Sequence, residues 1–440
     1  MSLSSVRCWP GAACWPGGIA EPPVDLAWGV AITLDGRRVM DGLAQQIPWY
    51  AADLLEVAAC VHAADRLTPR IGWRSSDYGC SWSRTMRVRI PVRRPDVWNA
   101  NAEQLAQLLR WLSDDEWILE FCQGEGPLTP GQSPLFETAP PDADPVLFSG
   151  GMDSTAGLAR DLFVNERRVV AVSVFTNNWM LYQQRQVIKN LTHGHCLPVQ
   201  FNLNLRLSDI ESSQRTRGFV YLASGIAAAW TMSRRFLRVY ENGIGAINLP
   251  YLRSQYGAQA TRAMHPKTLH MMSALIGSVT GEAFSIDAPY LTLTKAELIA
   301  SVPEDADQAL QQSVSCDSGF SARVRGRKPC GICTSCLLRR LAIHASKKSH
   351  LEAGQLYRRA DPSTSEQWAA MAWQALRLER CLRGEDPWNT LMMEFPALRS
   401  ASRMISRNDL VRLYRTYCQE WAVVSAKFGD TPPPRDRTAA

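Results

Sequence analysis

One junction in the middle of the chain limits the fold more than any other feature. The apolar run Val146-Leu147-Phe148 leads into Ser149-Gly150-Gly151-Met152-Asp153-Ser154, and residues 154–164 then read as a helix. A glycine-rich turn between a strand and a helix N-terminus points successive backbone N–H groups, and the positive end of the helix dipole, at one anion. Ser149 and Ser154 can add hydroxyl donors to phosphate oxygens. Asp153 would repel a phosphate unless a cation stood between them, so it implies Mg²⁺ beside a bound nucleotide. A plain serine-capped turn is the alternative, but this order of residues directly after an apolar strand is rare by chance.

The surrounding pattern sets the class. Residues 169–174 form the continuous apolar run of a buried parallel strand, and 182–191 read as a helix. Residues 199–203 read as a strand, 219–236 as a long helix rich in small residues, and 237–240 as a strand. This alternation predicts an α/β fold with a doubly wound parallel sheet. Upstream, strands are expected at 27–34, 86–92 and 117–121, with Val88, Ile90 and Val92 at period two, and helices at 51–64 and 102–112. Residues 25–125 thus read as a small α/β domain. Before them, residues 1–24 carry a duplicated Cys-Trp-Pro-Gly (Cys8–Gly11 and Cys14–Gly17) and read as a flexible arm. Residues 126–144 read as a proline-rich linker. Within it, Gly126 to Ser133 spaces like a Walker A loop, but Gln132 stands where lysine is essential. Residues 347–428 read as helical, with helices at 365–383 and 406–428, and 429–440 as a disordered tail.

A second constellation lies downstream. Cys316, Cys330, Cys333 and Cys336 place four of the twelve cysteines within 21 residues. Four thiolates with no histidine suit a closed structural Zn²⁺ site, and Gly331 eases the turn between Cys330 and Cys333. An Fe–S cluster and a redox Cys-x-x-Cys pair remain alternatives. Between Ser318 and Leu351 there are eight basic and no acidic residues, which would offset thiolate charge. The whole chain carries only +6, so nucleic acid is an unlikely partner. No apolar run approaches the ~18 residues of a membrane span. The N-terminus lacks the basic-then-apolar order of a secretion signal, so a cytoplasmic location and no membrane partner are expected.

The Ser149–Ser154 loop resembles the SGGxDS motif of the PP-loop ATP pyrophosphatases. That resemblance implies ATP cleaved between its α and β phosphates, pyrophosphate leaving from the loop, and an adenylated substrate. Ser315-Cys316 followed by Cys330-Gly331-Ile332-Cys333-Thr334-Ser335-Cys336-Leu337-Leu338-Arg339 resembles the knuckle of the 7-cyano-7-deazaguanine synthase family, QueC. Pro289 to Ile299, with Thr294-Lys295-Ala296-Glu297, is similar to another segment of that family. The likeness covers about residues 145–346, with the zinc knuckle at 316–336. It implies that Ser149, Gly150, Gly151, Met152, Asp153 and Ser154 hold ATP and Mg²⁺. It further implies that Asp153, Lys295 and Arg217 are catalytic, that Glu241, Asn242, Gly243 and His265 face the substrate, and that the four cysteines bind Zn²⁺. The family's Asp-Cys-Arg segment is replaced here by Asn248 to Arg253 and His265-Pro266-Lys267-Thr268, which implies a different acceptor or product. The length and layout also resemble the QatC proteins of the Qat antiphage defence system. Such proteins imply a ligase that joins a 7-deazapurine acid to ammonia or a protein amine. The partners implied are another protein of a defence operon and either a homodimer or a hetero-complex. A tRNA-modifying thiolase and a catalytically silent nucleotide-binding scaffold remain the alternatives.

Overall fold

The computed structural model describes the chain apart from residues 1–2, 11–23, 29–31, 36–42, 44–46, 69, 71–82, 125–141, 192–194, 206–210, 212, 253–260, 318–327, 353–356, 360, 364 and 429–440. The N-terminal half comprises β1 (Leu3–Pro10), β2 (Val24–Trp28), β3 (Ile32–Asp35), α1 (Trp49–Leu67), β4 (Thr85–Val92), α2 (Pro95–Ala100), α3 (Ala102–Ser113) and β5 (Glu116–Gln123). The central half comprises β6 (Asp144–Leu147), α4 (Met152–Phe163), β7 (Val169–Phe175), α5 (Asn178–Lys189), β8 (Cys196–Leu205), α6 (Arg217–Thr231), β9 (Phe236–Val239), α7 (Gly243–Ile247), α8 (Pro266–Thr280) and β10 (Ser285–Asp287). Helices α9 (Lys295–Ala300), α10 (Asp307–Gln312) and α11 (Thr334–Ala345) follow, and then a helical region of α12 (Glu366–Leu382), α13 (Pro387–Glu394), α14 (Leu398–Ala401) and α15 (Arg407–Phe428).

The strands of both halves lie in one sheet, in the order β10-β9-β6-β7-β8-β3-β2-β1-β4-β5. Every neighbouring pair is parallel except β3 with β8, which is antiparallel. All seven residues of β7 are buried, as its unbroken apolar sequence requires of a central strand covered on both faces. In β4 the period-two pattern is realised, with Met86, Val88 and Ile90 buried and Thr85, Arg87 and Arg89 half-buried.

Three expectations need correction or restriction. Part of the expected N-terminal arm is a strand: β1 runs between β2 and β4, and Pro10 stands at its last position, where a missing N–H costs the ladder least. The single strand expected at 27–34 is two, β2 and β3. They meet only at Trp28 and Ile32 across a gap too short for a crossover, so β3 is a sideways continuation of β2. The second Cys-Trp-Pro-Gly copy, most of the expected linker and the tail lie outside the described residues.

The two halves share packing as well as strands. Buried alanines of α1 (Ala51, Ala58, Ala59) and α6 (Ala223, Ala227, Ala228) belong to one core, and such small side chains let two helices approach closely. A second core, with Val146, Ala156, Leu158, Ala171, Leu298 and Ile343, joins β6 and β7 to α4, α9 and α11. Helices α12 to α15 pack their apolar faces on Ile244, Ile247, Leu249 and Tyr251, so they buttress the segment after β9. Among the described residues no helix is long and apolar enough to cross a membrane.

Candidate functional site

In an open parallel sheet the chain reverses its direction of winding between two strands, and ligands bind beyond the carboxyl ends of that pair. Here that pair is β6 and β9, neighbours in the sheet. The turn after β6 is Ser149-Gly150-Gly151, and the turn after β9 carries Glu241 and Asn242. The site therefore sits where topology alone would put it.

The first turn is shaped by its glycines and serines. Gly150 has φ +81°, and a Cβ there would lie 3.2 Å from Gln184 Cγ. Gly151 caps α4 in an extended conformation and donates its N–H to Ser149 Oγ at 3.2 Å. The Ser149 and Ser154 hydroxyls are 3.0 Å apart, and Gln184 Nε2 donates to the Ser149 carbonyl at 3.3 Å. A distant segment is also docked on the turn. Val314 N donates to the Gly150 carbonyl at 3.0 Å, and Ser315 Oγ accepts from Met152 N at 3.2 Å. Ser315, next to the first cysteine of the knuckle, thus belongs to the loop's own hydrogen-bond system.

Asp153 is the electrostatic centre. Lys295 Nζ pairs with its Oδ2, and Asn242 Nδ2 donates to its Oδ1 at 3.0 Å. The same amide donates to Glu241 Oε1 at 3.1 Å, while its oxygen accepts from Gly245 N at 3.0 Å. Burial, and then the neighbouring Asp153 charge, push the Glu241 carboxyl up to about 8, although Lys295 acts against this. Two carboxylates held by one amide form a donor set that a hard dication would suit, since it would relieve their repulsion. Lys295 is the first residue of α9, whose N-cap Thr294 forms a capping box with Glu297. The helical region clasps this turn: Thr294 Oγ1 donates to Glu420, and Arg412 binds Glu297 and the Thr292 carbonyl.

The four cysteine sulfurs lie within 4.8 Å of one another. Tetrahedral Zn²⁺ with Zn–S near 2.3 Å needs sulfurs about 3.8 Å apart, so the set fits that ion. Cys316 Sγ accepts from Cys330 N and Cys330 Sγ from Cys333 N, both at 3.3 Å. Gly331 has φ +84°, and a Cβ there would lie 2.3 Å from the Arg359 carbonyl oxygen. Of the basic residues expected to offset thiolate charge, Arg339, Arg340 and Lys348 are engaged elsewhere, while Lys328 and Lys347 are exposed. Arg339 is buried and donates to the Ser313 and Leu310 carbonyls, so it fixes the segment that docks on the loop. Arg340 pairs with Glu352, and Arg323, Arg325 and Arg327 lie outside the described residues.

These pieces surround one cavity of about 960 Å³. Ser149, Gly151, Met152, Asp153, Ser154, Arg217, Glu241 and Lys295 all line it, together with Cys316. Asn242 lies behind the wall, and Gly243, beneath Leu291, is not among the lining residues. His265 is a correction. It is buried, caps α8 by accepting from Lys267 N at 3.0 Å, stacks edge-on against Trp111, and is absent from the cavity lining. Burial, with Arg262 and Lys267 nearby, lowers its imidazole to about 4, as suits a neutral cap. A histidine just before a proline at a helix start reads equally as an acid/base group or as a cap, and here packing decides for the cap. Sequence reasoning also missed His62 and Arg66 of α1, which line the same cavity from the N-terminal half.

Residues 263–347 match the family model of the queuosine biosynthesis protein QueC. The matched segment carries Lys295 and all four clustered cysteines but stops short of the Ser149–Ser154 loop. No curated protein and no solved structure matches the chain. In this segment, then, the chain is similar to QueC.

Proposed function

We propose that the chain is an ATP-using ligase that activates a carboxylate by adenylation and passes it to an amine. The observation that carries this reading is the meeting, in one cavity, of the Gly150-Gly151 turn at a helix N-terminus with Lys295 from the QueC-like segment. A carboxylate oxygen of the acceptor attacks the α-phosphorus of ATP, the bond to the β-phosphate breaks, and pyrophosphate departs. Ammonia or a protein amine then attacks the acyl carbon, AMP leaves, and the nitrogen gives up a proton. The chain's own part is positioning and charge neutralisation. Backbone N–H groups of the turn, Ser149 and Ser154 receive the departing phosphates. Lys295 supplies positive charge beside Asp153, and Arg217 faces the acceptor. Asp153 and Glu241 would hold Mg²⁺, which lends charge to the phosphates. The four cysteines would hold Zn²⁺ as a structural ion that keeps 313–316 against the loop.

The QueC-like segment supports a 7-deazapurine acid such as 7-carboxy-7-deazaguanine as acceptor. The overall layout of the chain supports a place in antiphage defence. Pyrophosphate release from ATP, with and without that acid, tests the reading in wild type and Asp153→Ala. Release that needs the acid and disappears in the variant is expected. Release indifferent to the acid would count against it.

One observation favours a thiolase instead: Cys316 lines the cavity. Metal and labile-sulfide analysis separates the two. Zinc without sulfide supports the ligase, and iron with sulfide supports the thiolase.

A further inference from the structure

The ten-stranded sheet carries an internal symmetry. Outward from the antiparallel junction, the central half runs β8-β7-β6-β9-β10 and the N-terminal half β3-β2-β1-β4-β5. With β3, the continuation of β2, counted as a strand of its own, each half numbered by itself reads third, second, first, fourth, fifth. Pairings within each half are parallel, and the two third strands meet antiparallel, Ile32 opposite Leu205 and Asp35 opposite Asn202. An antiparallel meeting of like strands is what a twofold axis through the junction produces. The helices follow the same operator. Helices α1 and α6 each join third strand to fourth, and they pack on each other. Helices α3 and α8 each lie between fourth and fifth, and they also touch, Trp111 Nε1 donating to Thr268 Oγ1 at 2.9 Å. Each of these three elements contacts its own counterpart, as across an isologous dimer interface.

The two halves are chemically unequal at this junction. Helix α1 holds the segment that leads into α6. Asp65 Oδ2 accepts from Thr216 N at 3.1 Å and from Thr216 Oγ1 at 2.9 Å, and Arg66 donates to the Glu211 and Ser213 carbonyls. His62 Nδ1 lies 3.5 Å from Thr216 Oγ1. His62 and Arg66 line the cavity alongside Arg217 and Tyr221 of α6. Arg217 is held by neutral groups, the Gln214 amide oxygen at 2.9 Å and the Tyr221 ring at 5.8 Å. Its charge therefore suits an anionic ligand beside α1 and α6.

We propose that the N-terminal half stands in for the second subunit of a twofold dimer, and that its helix α1 completes the acceptor end of the cavity within one chain, with His62 a specificity-determining contact to the acceptor acid. The identity of that acid rests on the adenylation reading above. Calorimetry on the full chain tests the contact, with a non-hydrolysable ATP analogue and Mg²⁺ present and 7-carboxy-7-deazaguanine as probe. His62→Gln should weaken acid binding tenfold or more and leave analogue binding unchanged. Unchanged acid affinity in a folded variant overturns the proposal and leaves the adenylation reading standing. Wild type that binds the analogue but not the acid overturns that reading, and the role given to His62 with it. Hydrogen exchange on the unmodified chain reads the same contact without a substitution. The acid should slow exchange in residues 57–67 as well as 211–217, and protection confined to the central half contradicts the proposal. Light scattering should give the acid-binding species the mass of one chain, and a requirement for two chains would refute completion in cis.

Discussion

The two ends of the cavity are built in opposite ways. At the loop end the decisive residues are close in sequence: Ser149 to Ser154 span six positions and the four cysteines 21. At the α1 end they are far apart, since Asp65 meets Thr216 across 151 positions and Arg66 meets Glu211 across 145. Local backbone rules govern the first end: a turn needs its glycines, a helix N-terminus its donors, a metal its ligands. The second end exists only because two halves of a sheet are joined, and its ion network has no short-range signature.

Four perturbations break or sharpen this contrast, and the largest acts at the loop end. Removing the metal with a chelator, or Cys333→Ser, should release 313–345 from the loop, because on the order of 10 kcal/mol of apparent binding free energy is at stake in a structural zinc site. Hydrogen exchange should show residues 313–345 opening, together with loss of ATP binding. Retained protection there would mean that packing alone holds the knuckle.

Next, Lys295→Ala should lower acid-dependent pyrophosphate release by about 100-fold or more, as expected when one preorganised charge is removed from a reacting centre. Its thermal stability should fall only modestly, since Asp153 keeps Asn242 as a donor and Glu241 can hold a proton. Loss of stability in step with activity would make Lys295 a structural residue.

The α1 end should respond in stability first. Arg84 pairs with Asp65 and Asp115 in a buried network, so Asp65→Ala leaves a buried charge short of a partner. That should cost about 3–5 kcal/mol, read as a lower denaturant midpoint. An effect below about 1 kcal/mol would mean that the network does not hold the halves together.

The smallest effect lies behind Lys295. Burial pushes the Glu420 carboxyl up to about 7, from an ordinary value near 4.5. Between those values the folded chain keeps a proton that the unfolded chain releases, so this group's contribution to stability falls as pH rises from about 4.5 through about 7. Glu420→Gln keeps an acceptor for Thr294 and removes that dependence. The variant should gain about 1–2 kcal/mol on wild type between roughly pH 5 and pH 8. A pH-independent difference would show that Glu420 is ionised throughout.

The same contrast explains what could be read in advance. Strand β4 is legible from its period-two pattern, β7 and α1 from the length of their apolar runs, α4 from the glycine-rich turn before it, and Lys295 from its likeness to a family segment. The strand β1 was hidden by the Cys-Trp-Pro-Gly repeat, whose proline suggests irregular structure although Pro10 only ends the strand. Gln184, Ser315, His62 and Arg66 acquire their places from contacts made after folding. No periodicity marks a glutamine that braces a turn 35 positions away.

The most direct test of the adenylation claim follows an atom. With the acceptor carboxylate labelled with heavy oxygen, adenylation and then displacement by an amine must leave one labelled oxygen in AMP. The account predicts labelled AMP from wild type in the presence of the acid and none from Asp153→Ala. Pyrophosphate and AMP released without label would show that water, not the carboxylate, attacks ATP, and would contradict the central claim.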